Sequence, residues 1–90
     1  MRGAFNKILS LPDKKKVLIA ASGGNHGLAV AYAGKQFGMM TTVIVFETTD
    51  QYRVDLIKQA GGEVVRYGRT MDDLYKKASE YTKDDNYVYI

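Results

Sequence analysis

The 90-residue sequence predicts an α/β fold, three-layer α/β/α, built on a four-stranded parallel sheet. Two observations lead there. Short runs rich in Val, Ile, Thr and Tyr alternate with segments of about ten residues whose apolar positions recur at helical spacing. The first two of those runs are almost wholly apolar, which suits strands covered on both faces and not strands with one wet side. Strands joined through helices imply right-handed crossovers and a parallel sheet with helices on both of its faces.

Taken in order, Arg2 to Leu11 reads as a helix with Phe5, Ile8 and Leu9 on one side, and Pro12 separates it from the rest. Lys14, Lys15 and Lys16 read as a solvated approach to a strand and not as a nucleic-acid patch. Val17 to Ala21 is the first strand. Leu28 to Phe37 is a helix, ended by Gly38 where a left-handed cap costs least. Thr42 to Phe46 is a second, β-branched strand. Gln51 to Ala60 carries Val54, Ile57 and Ala60 at helical spacing and stops at Gly61-Gly62. Glu63 to Tyr67 is the third strand. Thr70 with Asp73 resembles a capping box that opens a helix with Met71, Leu74, Ala78 and Tyr81 as its inner stripe. Tyr87 to Ile90 is the fourth strand. A buried last strand ordinarily continues into a loop or helix, so the end at Ile90 is unusual.

Bulk properties bound the function. Hydrophobic content of 46% and charged content of 26% are ordinary for one small soluble domain. No apolar run approaches about 18 residues and no leading signal-like segment is present, so neither a membrane partner nor secretion is expected. The sequence has no cysteine, which removes disulfides and thiolate-bound metals and agrees with a cytoplasmic setting. The net charge of +3 is spread along the chain, and no nucleic-acid partner is expected.

The chemistry concentrates in Ser22-Gly23-Gly24-Asn25-His26-Gly27, between the first strand and the following helix. Open α/β sheets bind ligands at the carboxyl ends of their strands, near a switch in strand order. Gly23, Gly24 and Gly27 permit positive φ and close approach of a ligand to the backbone. The helix start offers unpaired N–H groups and partial positive charge, suited to a carboxylate or phosphate. Ser22 and Asn25 add polar side chains. The competing reading is a tight turn in which Asn25 caps the helix. The glycines at 23, 24 and 27 do not make a dinucleotide fingerprint. Gly34-Lys35-Gln36 lacks the upstream glycine and the hydroxyl residue of a phosphate loop. Ala20-Ala21-Ser22 offers no acidic cluster of a phosphoacceptor domain, and His26 stands without a second metal ligand.

Ser22–Gly27 resembles the S-x-G-N-H-[AG] loop of the fold-type II pyridoxal-phosphate enzymes, in particular the threonine/serine dehydratase and serine racemase group. Met1 to Ile8 resembles that family's F-K-x-R-G-A-x-N-K-I segment from its x onward. Ala29-Val30-Ala31-Tyr32-Ala33, then Glu47-Thr48-Thr49 through Val54-Asp55, then Gly61-Gly62-Glu63-Val64-Val65, extend the likeness over essentially the whole chain. The wider family includes threonine synthases and diaminopropionate ammonia-lyases, and the loop does not exclude the latter. The resemblance implies a small domain with strand order 3-2-1-4 and the loop at the switch between strands one and four. It implies that Asn25 contacts the ring hydroxyl of pyridoxal 5′-phosphate, and that the serine and backbone N–H groups of the loop hold the substrate carboxylate.

Three departures stand out. Phe46 and Asp50 occupy positions where many relatives have proline, and they are expected to serve as packing and as a helix cap. The family's cofactor-bonding lysine lies two residues before the Arg-Gly-Ala triplet, ahead of Met1, and the groups that hold the cofactor phosphate and face the ring nitrogen belong to the other domain. The expectation is therefore an excised or designed small domain, inactive alone, with no catalytic residue of its own and no bound cofactor. A stand-alone α/β scaffold and a complementing fragment are the alternatives. Expected partners are the large domain, a small amino acid or anion held in the millimolar range, about −4 kcal/mol, and a second copy. Arg2–Leu11, Ala29–Ala33 and the terminal strand are the elements expected to make such contacts.

Overall fold

Each of the four runs read as strands forms one, and the segments between them form helices. The order is β1 (Val17–Ala21), α1 (Asn25–Gln36), β2 (Thr41–Val45), α2 (Gln51–Gln59), β3 (Gly62–Arg66), α3 (Met71–Thr82) and β4 (Tyr87–Tyr89). The computed structural model describes residues 16–22 and 25–90. The helix expected over Arg2–Leu11, together with Pro12, Lys14, Lys15, Gly23 and Gly24, lies outside the described residues.

The sheet has four strands in the order β3-β2-β1-β4, with every pairing parallel. This is the 3-2-1-4 order that the family resemblance implies. Ile19 stands opposite Thr42 on one side and Tyr89 on the other. Crossover handedness accounts for the layers. The steps β1 to β2 and β2 to β3 move in one direction, so α1 and α2 cover one face. The return from β3 past two strands to β4 moves the other way, and a right-handed connection then carries α3 over the opposite face.

Side-chain alternation divides the core accordingly. Leu18 and Ala20 pack with Val30, Ala33 and Met39, while Val43 and Val45 pack with Ala31, Val54 and Ile57. On the other face Ile19, Ala21 and Ile44 meet Leu74 and Ala78. Phe46 packs against that second face, as expected, although it lies just past the end of β2.

Local signals account for most boundaries. Gly38 takes φ 70° after α1. Asp50 caps α2 by accepting from the Arg53 N–H at 3.2 Å. Thr70 and Asp73 form the reciprocal capping box of α3. Several expectations need correction, among them β3, which covers Gly62–Arg66 and not 63–67. α1 starts at Asn25, three residues before the apolar stripe begins at Leu28. β2 covers Thr41–Val45 and not 42–46, because register sets Thr41 against both Leu18 and Gly62. Met71 is 37% exposed, since it opens α3 at the rim of the sheet, while Leu74 and Ala78 form the buried stripe with Tyr81 against it.

Candidate functional site

In a parallel sheet the connections that leave the strands' carboxyl ends share one rim, and three of them meet here. The first follows β1. The Ser22 N–H donates to the Ile44 carbonyl at 3.0 Å and so carries the β1–β2 ladder one residue past β1. The Ser22 side chain is buried, and its Oγ accepts from the Gly27 N–H at 2.9 Å. Gly27 is the third residue of α1, where backbone donors have no partner inside the helix. Ser22 therefore caps α1 from five residues upstream, and Asn25, read as the possible cap, is instead its first residue.

Gly27 also departs from its expected part. It is helical and buried, and positive φ among the described residues belongs to Gly38, Gly61 and Gly68. A Cβ at Gly27 would stand 2.5 Å from Val43 Cγ1 and 3.1 Å from Ser22 Cβ. Its smallness lets the start of α1 sit directly on β2, which places the first turn of the helix at the rim.

Asn25 and His26 are exposed on that turn. Asn25 Oδ1 accepts from Arg53 Nη1 at 3.2 Å, across a crevice lined by Leu28, Leu56 and Ile57. Arg53 lies in the first turn of α2, with its Nε 3.7 Å from Asp50 Oδ1. The second connection, Phe46 to Asp50, is strapped from β3. Arg66 Nη1 donates to the Glu47 carbonyl at 3.2 Å and to the Thr49 carbonyl, and Nη2 donates to Gln51 Oε1 at 3.3 Å. The third connection joins it, with the Glu47 N–H donating to the Gly68 carbonyl at 2.9 Å and Arg69 Nε 3.6 Å from Glu47 Oε2.

The structure thus brings Ser22, Asn25, His26 and Gly27 together, and it draws in Arg53 and Arg66, which sequence reasoning did not single out. The three-residue spacing of Asp50 and Arg53 is the signal that would have pointed to their mutual contact. Nothing local signalled that Arg53 would reach a residue 28 positions away. The donor set at the rim, an exposed amide, a guanidinium and the start of a helix, fits acceptor-rich ligands. Among the described residues no group of three or more His, Cys, Asp or Glu could hold a metal ion. No helix among them is long and apolar enough to cross a membrane.

The sequence profile of the family described as pyridoxal-phosphate dependent enzyme matches residues 1–90. The chain belongs to that family. Within it, the chain is similar to threonine dehydratase 2 biosynthetic, chloroplastic, from Solanum lycopersicum, at 37% identity over 92 aligned positions. That alignment covers 100% of this chain and 16% of the relative. The solved structure of the processed form of threonine deaminase isoform 2 from the same organism superimposes with a TM-score of 0.89 at 36% identity, covering 99% of this chain and 25% of that one. A pyridoxal 5′-phosphate-dependent aspartate racemase superimposes with a TM-score of 0.90 at 32% identity, covering 99% and 28%. The chain accordingly spans a quarter or so, or less, of these pyridoxal-phosphate dependent relatives. It corresponds to a small part of a threonine dehydratase-like enzyme.

Proposed function

We propose that this chain forms the small-domain wall of a threonine/serine dehydratase-like active site. In this reading the Ser22–Gly27 loop holds the carboxylate of a small amino acid, and Asn25 donates a hydrogen bond to the ring hydroxyl of pyridoxal 5′-phosphate. The observation that carries it is Asn25 itself. It is exposed at the carboxyl rim, with its carbonyl end engaged by Arg53 and its amide N–H2 as the end that donates.

When bound, the cofactor supplies the electron sink that labilises bonds at the amino acid's α-carbon. The part of this chain is binding and orientation. Ser22 holds the Gly27 amide at the start of α1, and the closeness of Gly27 to Val43 keeps that start on the sheet. The first-turn N–H groups other than that of Gly27, in the partial positive field of the helix, receive the carboxylate. His26, exposed next to Asn25, lies beside that position. We assign no proton-transfer step to the chain, and we propose that alone it is catalytically silent and touches pyridoxal 5′-phosphate only weakly, through Asn25, without holding it in a fixed pose.

The outward face of α1 beside the loop carries Leu28, Ala29 and Tyr32, which line an open apolar depression with Asn25. Tyr32 is 45% exposed there. We assign this face to contact with the cofactor-holding part of such an enzyme, and with a second copy when the chain is alone.

Amide chemical-shift titration tests the binding reading. Serine, acetate and phosphate should move the Gly24, Asn25 and Gly27 amides first, with dissociation constants near or above about 1 mM. Shifts confined to the Lys14–Lys16 run would show charge attraction without a site and would end the carboxylate reading.

A further inference from the structure

We propose that Arg53 is a positioning residue that decides which end of the Asn25 amide is presented to the ligand. The proposal rests on the reading above, in which Asn25 donates to the cofactor ring hydroxyl.

An asparagine amide has an acceptor end and a donor end, and its terminal torsion is broad and roughly two-fold, so on an exposed helix start either end can face a ligand. A guanidinium has five N–H donors and no acceptor. The contact of 3.2 Å between Arg53 Nη1 and Asn25 therefore admits one orientation, with Oδ1 toward α2 and the N–H2 end given over to donation. A positive charge on the carbonyl end also polarises the amide, which strengthens its N–H2 as a donor.

Arg53 is itself held. Asp50 Oδ1 accepts from the Arg53 backbone N–H at 3.2 Å and lies 3.7 Å from its Nε. The segment that carries Asp50 is strapped by Arg66 through the Glu47 and Thr49 carbonyls and Gln51 Oε1. A run of contacts thus leads from the end of β3 to Asn25. Its members are solvated, with side-chain exposures of 48% for Arg53 and 61% for Asp50, so they add little to folding stability. Their consequence is orientation, and orientation is what a single amide reading a single hydroxyl requires.

The test uses the full chain with labelled asparagine side chains, in wild type, Arg53→Met and Arg53→Lys. The probe is 4′-deoxypyridoxine 5′-phosphate, which keeps the ring hydroxyl and phosphate but has no aldehyde to react with lysines. Side-chain NOEs should report one Asn25 amide orientation in wild type and two in Arg53→Met. Arg53→Lys should restore part of the bias, because it keeps a cationic donor but not the planar fork. The apparent affinity read at the Asn25 amide should fall about three- to tenfold in Arg53→Met, with the thermal midpoint unchanged. An amide that responds to the probe in wild type but keeps its orientation and affinity in Arg53→Met overturns the assignment of Arg53 alone. A wild-type amide that the probe leaves unmoved overturns the cofactor reading and the purpose given to Arg53 with it.

Discussion

Gly27 shows how one position can satisfy two demands that no local rule combines. Helix propensity alone favours alanine there by about 1 kcal/mol. The Cβ would press on Val43 Cγ1 at 2.5 Å, and overpacking of that kind costs about 1–3 kcal/mol. Gly27→Ala should therefore destabilise the chain, which a denaturant midpoint will show; an increase in stability would mean that the start of α1 is not seated on β2. Asp73 offers a second check. It accepts from the Arg69 N–H at 3.0 Å and the Thr70 N–H at 3.3 Å, and these contacts, that of Arg69 first, hold its carboxyl below the usual 3.8. A lowered folded-state value means that the contribution is present above the unfolded value and is lost as pH falls through the folded one. Wild type should exceed Asp73→Asn in thermal stability at neutral pH, and the difference should close below pH 3.8. A gap that persists in acid would remove the ionised carboxylate as its cause.

The helices differ in how openly they declare their boundaries. α3 was legible because Thr70 and Asp73 make their capping contacts with backbone groups of their own turn. The Asp50 cap of α2 is equally local. The start of α1 was not, since Asn25, His26 and Gly27 are poor helix formers. They become helical because Ser22, fixed at the end of β1, takes the Gly27 amide. Arg66 belongs with these long-range determinants, as it ties the segment between β2 and α2 to the end of β3. Arg66→Met should speed hydrogen exchange of the Glu47 and Thr49 amides while costing the fold only about 1 kcal/mol. Exchange that stays unchanged at both amides would show that the segment holds itself without the strap.

The same division holds for the whole domain. Its exposed α1 face, with Leu28, Ala29 and Tyr32 beside the loop, leads us to expect reversible association of the isolated chain at high concentration. Sedimentation should show it, Tyr32→Lys should weaken it, and a clean monomer throughout would argue against that face as a contact surface. The alternation of apolar runs with helical stripes was enough to specify a parallel α/β sheet, because strand and helix periods are written in neighbouring residues and crossover handedness leaves few arrangements. The loop stood out for a similar reason, since six small or polar residues between a buried strand and a helix have few uses. The placing of Ser22 under α1, the packing that demands Gly27, and the reach of Arg53 to Asn25 depend on distances between segments far apart in the chain. Spacing along a sequence carries no such distances; they exist only once the sheet has set β1, β2 and the two helix starts side by side.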